Sequence, residues 1–334
     1  IGLMAAESSA LLVKAVAAVI YLLRSLAVGI YVKRNYPQAN FREEPDRGAF
    51  NQRWAALLHQ IVGMIVNNTG IILLTIFIPN DSLAEVSVYS VYNLVGYSLS
   101  GMMTSISNGL SSGFGEIIST GEKQVLRRSF SSYEFVFFLI IFIVYTCMGG
   151  LLYPFIGLYS ASFTDGIVYL RWPLVFLFTL AGLLQALRLP GLTVICAAGH
   201  YKQTQGRAII EAGINLVVSL ILVRPLGVVG VLIGTCLSYL YRTLDVIIYS
   251  AKYFTSGTLM LSWWRIIRNF VLLAILTALG VLIIPTDSIS WGTWLLSAVV
   301  YGGIVLGAFV VVNFVCESQE FRLLLERVKG IIAK

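Results

Sequence analysis

Long apolar segments, separated by short polar connections, make up most of the chain. Each segment holds about 20 residues, enough for a helix with a rise of 1.5 Å per residue to cross roughly 30 Å of hydrocarbon. Ten-residue strands of alternating polarity, which are typical of membrane barrels, do not occur. The pattern predicts an all-α polytopic membrane protein with about nine transmembrane helices. The predicted segments are residues 10–31, 55–78, 86–112, 133–156, 167–197, 207–224, 226–250, 264–284 and 291–315.

The composition agrees with a bilayer environment. Hydrophobic residues make up 58% of the 334 residues, charged residues only 12%, and the mean hydropathy is +0.85. A water-soluble domain contains about twice as many charged residues, roughly 25%. We therefore expect a multi-pass protein of the cell membrane that is surrounded by membrane lipids.

The net charge of +7 reflects orientation in the membrane rather than binding to nucleic acid. Seventeen of the 23 lysines and arginines lie in alternate connections and the C-terminal tail, whereas the remaining connections contain only Arg224. This count places Arg265 and Arg268 in the connection between the seventh and eighth segments. By the positive-inside rule the basic connections are cytoplasmic. The first helix is therefore expected to begin outside, and the C-terminus to be cytoplasmic.

One short stretch occurs twice. YLLRSLAVGIY at residues 21–31 and YLYRTLDVIIY at residues 239–249 agree at seven of eleven positions, including Arg24 and Arg242. The copies lie in the first and seventh segments, so they cross the membrane in the same direction. This indicates a duplicated six-helix bundle in parallel orientation, as in two-lobed transporters. The first segment would then end an N-terminal lobe, with five more helices, roughly 180 residues, expected before Ile1.

Two stretches resemble a known family. They are AAGHYKQTQGRAIIEAGINLVVSLILVRPLGVVGVLIGTCLSYLYRT at residues 197–243 and ISNGLSSGFGEIIST at residues 106–120. The chain is similar to the C-terminal two thirds of the polysaccharide flippases and exporters (oligosaccharide flippases) of the multidrug/oligosaccharidyl-lipid/polysaccharide (MOP) exporter superfamily. The resemblance implies a 14-helix, two-lobed, MATE-like transporter that works by alternating access. It also implies a lipid-linked glycan as the substrate, with an anionic diphosphate.

The repeat and the resemblance together divide the chain into five parts. The predicted divisions are residues 1–36, the last helix of the N-terminal lobe; 37–53, a cytoplasmic linker; 54–254, the C-terminal six-helix lobe; 255–316, two additional transmembrane helices; and 317–334, an amphipathic cytoplasmic tail.

When the cations assigned to the connections, including those at segment ends, are set aside, five of the 23 remain within the apolar segments: Lys14, Arg24, Arg171, Arg188 and Arg242. A cation in hydrocarbon costs about 2.5 kcal/mol or more, so it should face protein or water. Lys14 and Arg171 lie near outer helix ends, where their side chains can reach the headgroups. The three deeper arginines are candidate substrate-binding residues, because a guanidinium offers phosphate a planar fork of donors.

Other interpretations of these arginines stay open. Arg24 and Arg242 lie in the cytoplasmic halves of their helices, from which they could reach the headgroups. Arg242 could also pair with Asp245, three residues further on.

Uncharged polar residues supply further candidates. Gln60 and Asn67 share one face of the second segment, and they could line a cavity or bond to neighbouring helices. Glu211 lies four residues from Arg207, its expected partner if it is a helix-end charge; the alternative is that Glu211 carries a proton. Gly230 and Gly234 form a pair of small residues suited to close helix packing.

Patterns of enzymes are missing from the sequence. It contains no phosphate-binding loop, no HExxH and no Cys/His cluster, so we expect neither catalysis nor a metal or other cofactor. Three alternatives to a flippase stay open. One is a cation-coupled multidrug exporter of the same superfamily. The other two, from different classes, are a membrane glycosyltransferase or polymerase and a membrane scaffold that transports nothing.

Overall fold

The computed structural model describes residues 2–36, 53–78, 82–255, 257–286 and 290–322. These residues form nine helices and contain no strand. The helices are α1 (Gly2–Asn35), α2 (Arg53–Phe77), α3 (Ser82–Thr120), α4 (Lys123–Ser160), α5 (Trp172–Leu187), α6 (Leu189–Ala197), α7 (Tyr201–Tyr253), α8 (Leu259–Ile283) and α9 (Trp291–Cys316).

The chain forms two compact units, Ile1–Asn51 and Gln52–Lys334. The first unit contains α1, a single apolar helix. The second contains α2 to α9 and the hydrophobic core.

Seven of the described helices are long and apolar enough to cross a membrane. They are Lys14–Asn35, Arg53–Phe77, Lys123–Ser160, Trp172–Ala197, Tyr201–Tyr253, Leu259–Ile283 and Trp291–Cys316. The predicted number was nine, and the difference has two sources. The third predicted segment lies in α3, whose many serines and glycines lower its apolarity, and the sixth and seventh both lie in α7.

The long helix α7 folds back on itself. At the fold, Gly227 has a φ of 56°, a left-handed conformation that residues with a Cβ rarely adopt. A Cβ on Gly230 would clash with the carbonyl oxygen of Leu222, and a Cβ on Gly234 would clash with Ser219. The predicted role of this glycine pair in close packing is therefore confirmed, since residues 201–226 and 228–253 pack as a helical hairpin.

The fifth predicted segment is shorter than expected and broken. Helix α5 begins only at Trp172 and ends at Leu187, and α6 begins at Leu189 with Pro190 in its first turn. A proline has no N–H to donate, so the helical hydrogen bond to the carbonyl of Ala186 is lost. That carbonyl accepts the backbone N–H of Arg188 instead. The break thus leaves Arg188 at the junction of two helices.

Helix α4 is the most buried of the membrane-spanning helices, and it lies at the centre of the second unit. Helices α5, α8 and α9 pack against it, whereas α2 and α5 pack against α7. Large apolar side chains on α2, α8 and α9 remain exposed, including Ile76, Leu282 and Val299. Exposed apolar helix faces of this extent suit contact with lipid, as expected for a membrane protein.

An ion network fixes the beginnings of α4 and α8 to the end of α9. Arg265 is 0% exposed, and its Nη1 lies 3.1 Å from a carboxylate oxygen of Glu134. Its Nη2 lies 2.6 Å from Glu317, which follows α9, and Arg268 lies 3.0 Å from the other oxygen of Glu317. Counting Arg265 and Arg268 as loop cations was therefore wrong, because both lie within α8, Arg265 buried and Arg268 partly buried. Of the predicted amphipathic tail, residues 323–334 lie outside the described residues.

The α7 hairpin should tolerate alanine at one glycine and not at another. Gly230→Ala forces a methyl group against the carbonyl of Leu222, so we expect a loss of roughly 1–3 kcal/mol or more in the free energy of unfolding. Gly213→Ala, in the same helix but with open space around the new Cβ, should be neutral or stabilising by up to about 1 kcal/mol. Thermal unfolding in detergent measures both, and equal melting temperatures would contradict the hairpin contact.

Arg265→Met should also destabilise the chain. It removes the shared cation and leaves Glu134 and Glu317 charged in a buried site, which costs roughly 3–5 kcal/mol. Arg128→Met provides the matched control, because Arg128 is exposed. A melting temperature that falls equally in both variants would show that the network does not stabilise the fold.

Candidate functional site

A cavity of about 140 Å³ opens between α2, the α5–α6 junction and both halves of α7. Glu211 lies ten residues after the start of α7 and Arg242 eleven before its end, so both are roughly 15 Å from the helix ends. The cavity therefore lies deep along the apolar helices. Its lining consists of His59, Val62, Gly63, Val66, Asn67, Arg188, Leu192, Ala208, Glu211, Tyr239 and Arg242.

Glu211 lies between two arginines at the cavity wall. Arg188 donates from Nη1 to one carboxylate oxygen of Glu211, and the Nε of Arg242 lies 3.6 Å from the other. The prediction that Glu211 pairs with Arg207 was wrong. Arg207 turns instead to Asp245, on the facing half of the α7 hairpin.

Arg242 has a second carboxylate partner. Its Nη1 donates to Asp245 across 2.7 Å, which confirms the predicted pairing with the residue three positions further on. The side chains thus form a row of alternating charge, Arg188, Glu211, Arg242, Asp245 and Arg207. Three cations and two anions leave a net charge of +1 for the row.

The pairing of Arg188 with Glu211 does not use all of the hydrogen-bond donors of Arg188. Its guanidinium carbon lies 4.8 Å from the centre of the Tyr239 ring, a cation–π contact. Its Nε is buried without a hydrogen-bond partner. The Tyr239 hydroxyl donates to the side-chain oxygen of Asn67 across 3.3 Å. Arg188 therefore lines the cavity without using all of its hydrogen-bond donors.

The remaining predicted site residues, Gln60 and Arg24, are not among the residues that line the cavity. Gln60 is exposed and is not part of the cavity lining. Arg24 belongs to α1 in the first unit, where its side chain is exposed. The residue three positions after Arg24 is Ala27, whereas Arg242 has Asp245 there. The two repeated arginines therefore differ in their local partners.

The cavity also includes residues that the sequence did not single out as a site. His59 is one of them, and its Nε2 lies 3.1 Å from the backbone carbonyl of Tyr201, at the start of α7. This contact requires a hydrogen on Nε2. Tyr239 is another, and two signals could have identified it: it matches Tyr21 in the repeated stretch, and it lies three residues before Arg242 on the same helix face.

The opposite ends of the helices carry a separate contact. Arg171 was expected to reach the headgroups, but its Nη1 lies 2.7 Å from Glu85 at the start of α3. In the same connection, Tyr169 donates to Asp165 across 2.6 Å. This hydrogen bond lowers the pKa of Asp165. Partial burial and the same bond raise the pKa of Tyr169 to about 12.

Comparisons with protein-family models, curated proteins and solved structures find no match for this chain. Within the described ranges, His, Cys, Asp and Glu side chains do not group in threes as a metal site would require. The geometry of the cavity is therefore the basis for interpreting the site.

Water should reach the cavity but not the lipid-facing side of the same helix. We expect Asn67→Cys, at the cavity, to react rapidly with a charged, membrane-impermeant thiol reagent. Ile72→Cys is the matched control, because Ile72 is also exposed on α2 but does not line the cavity. Both variants are made in a background without the four native cysteines. Equal labelling rates would contradict a water-filled cavity.

Proposed function

We propose that this protein is a membrane transporter that flips or exports lipid-linked oligosaccharide or polysaccharide precursors by alternating access. The observation that carries the proposal is Arg188, which lines a cavity deep within apolar helices and has a buried Nε without a hydrogen-bond partner. The resemblance of residues 197–243 to the flippase family supports the same conclusion. The C-terminus is proposed to be cytoplasmic.

The energetics of the charged row favour a function over a purely structural role. Burying an ion costs several kcal/mol even after the protein relaxes, and apolar residues of similar volume often pack at no loss of stability. The four enclosed charges of the row, two cations and two anions, are therefore a costly way to hold helices together, whereas Arg207 at the end of the row is partly exposed. Ionisable groups within membrane helices typically mark the path of a substrate or ion.

The size of the cavity indicates which part of the substrate it would hold. Pockets that enclose a whole drug-sized ligand measure roughly 300–1,000 Å³, whereas this cavity measures about 140 Å³. It suits a phosphate or diphosphate group. The glycan and the lipid chain would lie outside it, the lipid chain along the apolar helix faces.

Reconstitution tests the proposal directly. In proteoliposomes containing a fluorescent oligosaccharide linked to a lipid by a diphosphate, the protein should expose the label to an impermeant quencher. Arg188→Gln and Arg242→Ala should each slow this exchange at least tenfold, and Lys at either position should restore it only in part. Arg128→Ala, an exposed substitution, is the control for charge removal.

Two outcomes would contradict a flippase. One is exchange no faster than in protein-free liposomes. The other is a deletion strain of the native host that keeps its surface polysaccharide and accumulates no lipid-linked oligosaccharide.

One observation favours a second candidate, the cation-coupled multidrug exporter. The cavity wall contains the carboxylate of Glu211, and a buried carboxylate is a group that could bind a coupling cation. An exporter should raise the tolerance of an expressing strain to cationic dyes. A flippase should leave that tolerance unchanged.

A further inference from the structure

We infer that Glu211 is a built-in competitor for the anion site: its carboxylate occupies Arg188, and an incoming phosphate group must displace it to bind. The inference rests on the proposed function for the identity of the ligand. It adds a mechanism for keeping the affinity low enough for release.

The geometry allows this exchange without breaking up the row of charges. Glu211 is held from two sides, by Arg188 of the α5–α6 junction and by Arg242 of the facing half of α7. When Arg188 turns to a phosphate, Glu211 keeps Arg242, whose Nη1 is held by Asp245. The carboxylate is therefore never left as an isolated buried anion.

Arg188 is equipped to favour the phosphate. With Glu211 it makes one charge-assisted hydrogen bond, while its buried Nε lacks a partner. A phosphate or diphosphate can accept two parallel bonds from one guanidinium, including one from Nε. The ligand thus offers Arg188 more hydrogen bonds than Glu211 does.

Glu211 in turn limits how tightly the ligand binds. Its carboxylate lines the same small cavity, so a bound phosphate has a like charge nearby. Repulsion between two anions in a medium of low polarity weakens binding. A transporter needs such a limit, because a site that holds its substrate too tightly releases it too slowly.

Removing the competitor should strengthen the binding of a simple anion. Inorganic pyrophosphate is titrated into the purified protein in detergent, and affinity is measured by calorimetry and by the rise in melting temperature. We expect Glu211→Gln to bind pyrophosphate about tenfold more tightly than the unmodified protein, because the substitution removes a negative charge that repels the bound anion. Glu116→Gln is the matched control, because it removes an acid from an exposed site on α3 and should leave the affinity unchanged.

Two further variants decide the outcome. Glu211→Asp keeps the charge but shortens the reach to Arg188, so it should bind pyrophosphate more tightly than the unmodified protein; it decides the question if Glu211→Gln does not fold. The double variant Glu211→Gln, Arg188→Gln should lose this gain in pyrophosphate affinity, because it lacks the Arg188 guanidinium that binds the anion.

The inference is overturned if the folded Glu211 variants bind pyrophosphate no more tightly than the unmodified protein, or if the double variant keeps the gain. Both measurements are independent of transport. If the variants bind pyrophosphate as expected but the protein moves no lipid-linked glycan, only the proposed function is contradicted. If transport is normal but Glu211→Gln does not change the affinity for pyrophosphate, only the inference that Glu211 competes for Arg188 is contradicted.

Discussion

The close approach of the two halves of α7 is the contact on which the site depends. Gly227 reverses the chain, and Gly230 and Gly234 let the facing backbone come within contact. Only because the halves lie this close can Glu211 of the first reach Arg242 of the second. A bulkier residue at the glycine pair would push the hairpin apart and separate the carboxylate from the arginine. The close packing of Gly230 and Gly234 is thus a condition for the ion pair between Glu211 and Arg242.

The break between α5 and α6 completes that arrangement. Pro190 interrupts the helix where Arg188 emerges, so a guanidinium enters the cavity from a third element and shares Glu211 with Arg242. The second ion network, around Arg265, has the opposite character. Arg265 is enclosed and bonded to two carboxylates, to a backbone carbonyl and to a serine hydroxyl, which suits a structural clamp. Arg265 uses each of its three guanidinium nitrogens in a hydrogen bond, whereas the buried Nε of Arg188 has no partner.

Apolar surface has two roles in this chain, and the sequence does not distinguish them. Side chains on α4 are buried among other helices, whereas equally apolar side chains on α8 and α9 remain exposed. In water, burial would separate these classes by polarity. In a bilayer the lipid is as apolar as the protein interior, so both classes use the same residues.

The sequence by itself determined the features that depend on neighbouring residues. Apolar length predicted the helices, the glycine pair predicted close packing, and the spacing of three offered the pairing of Arg242 with Asp245 as one alternative. Tertiary structure decided which distant residues meet. Glu211 pairs with Arg188 and Arg242 rather than with Arg207. Arg265 is buried against Glu134 and Glu317. Gln60 lies outside the cavity that Asn67 lines. The physical reason is that helical periodicity fixes contacts within about one turn. Contacts between helices depend on which faces pack together, and uniformly apolar faces carry almost no signal of that choice.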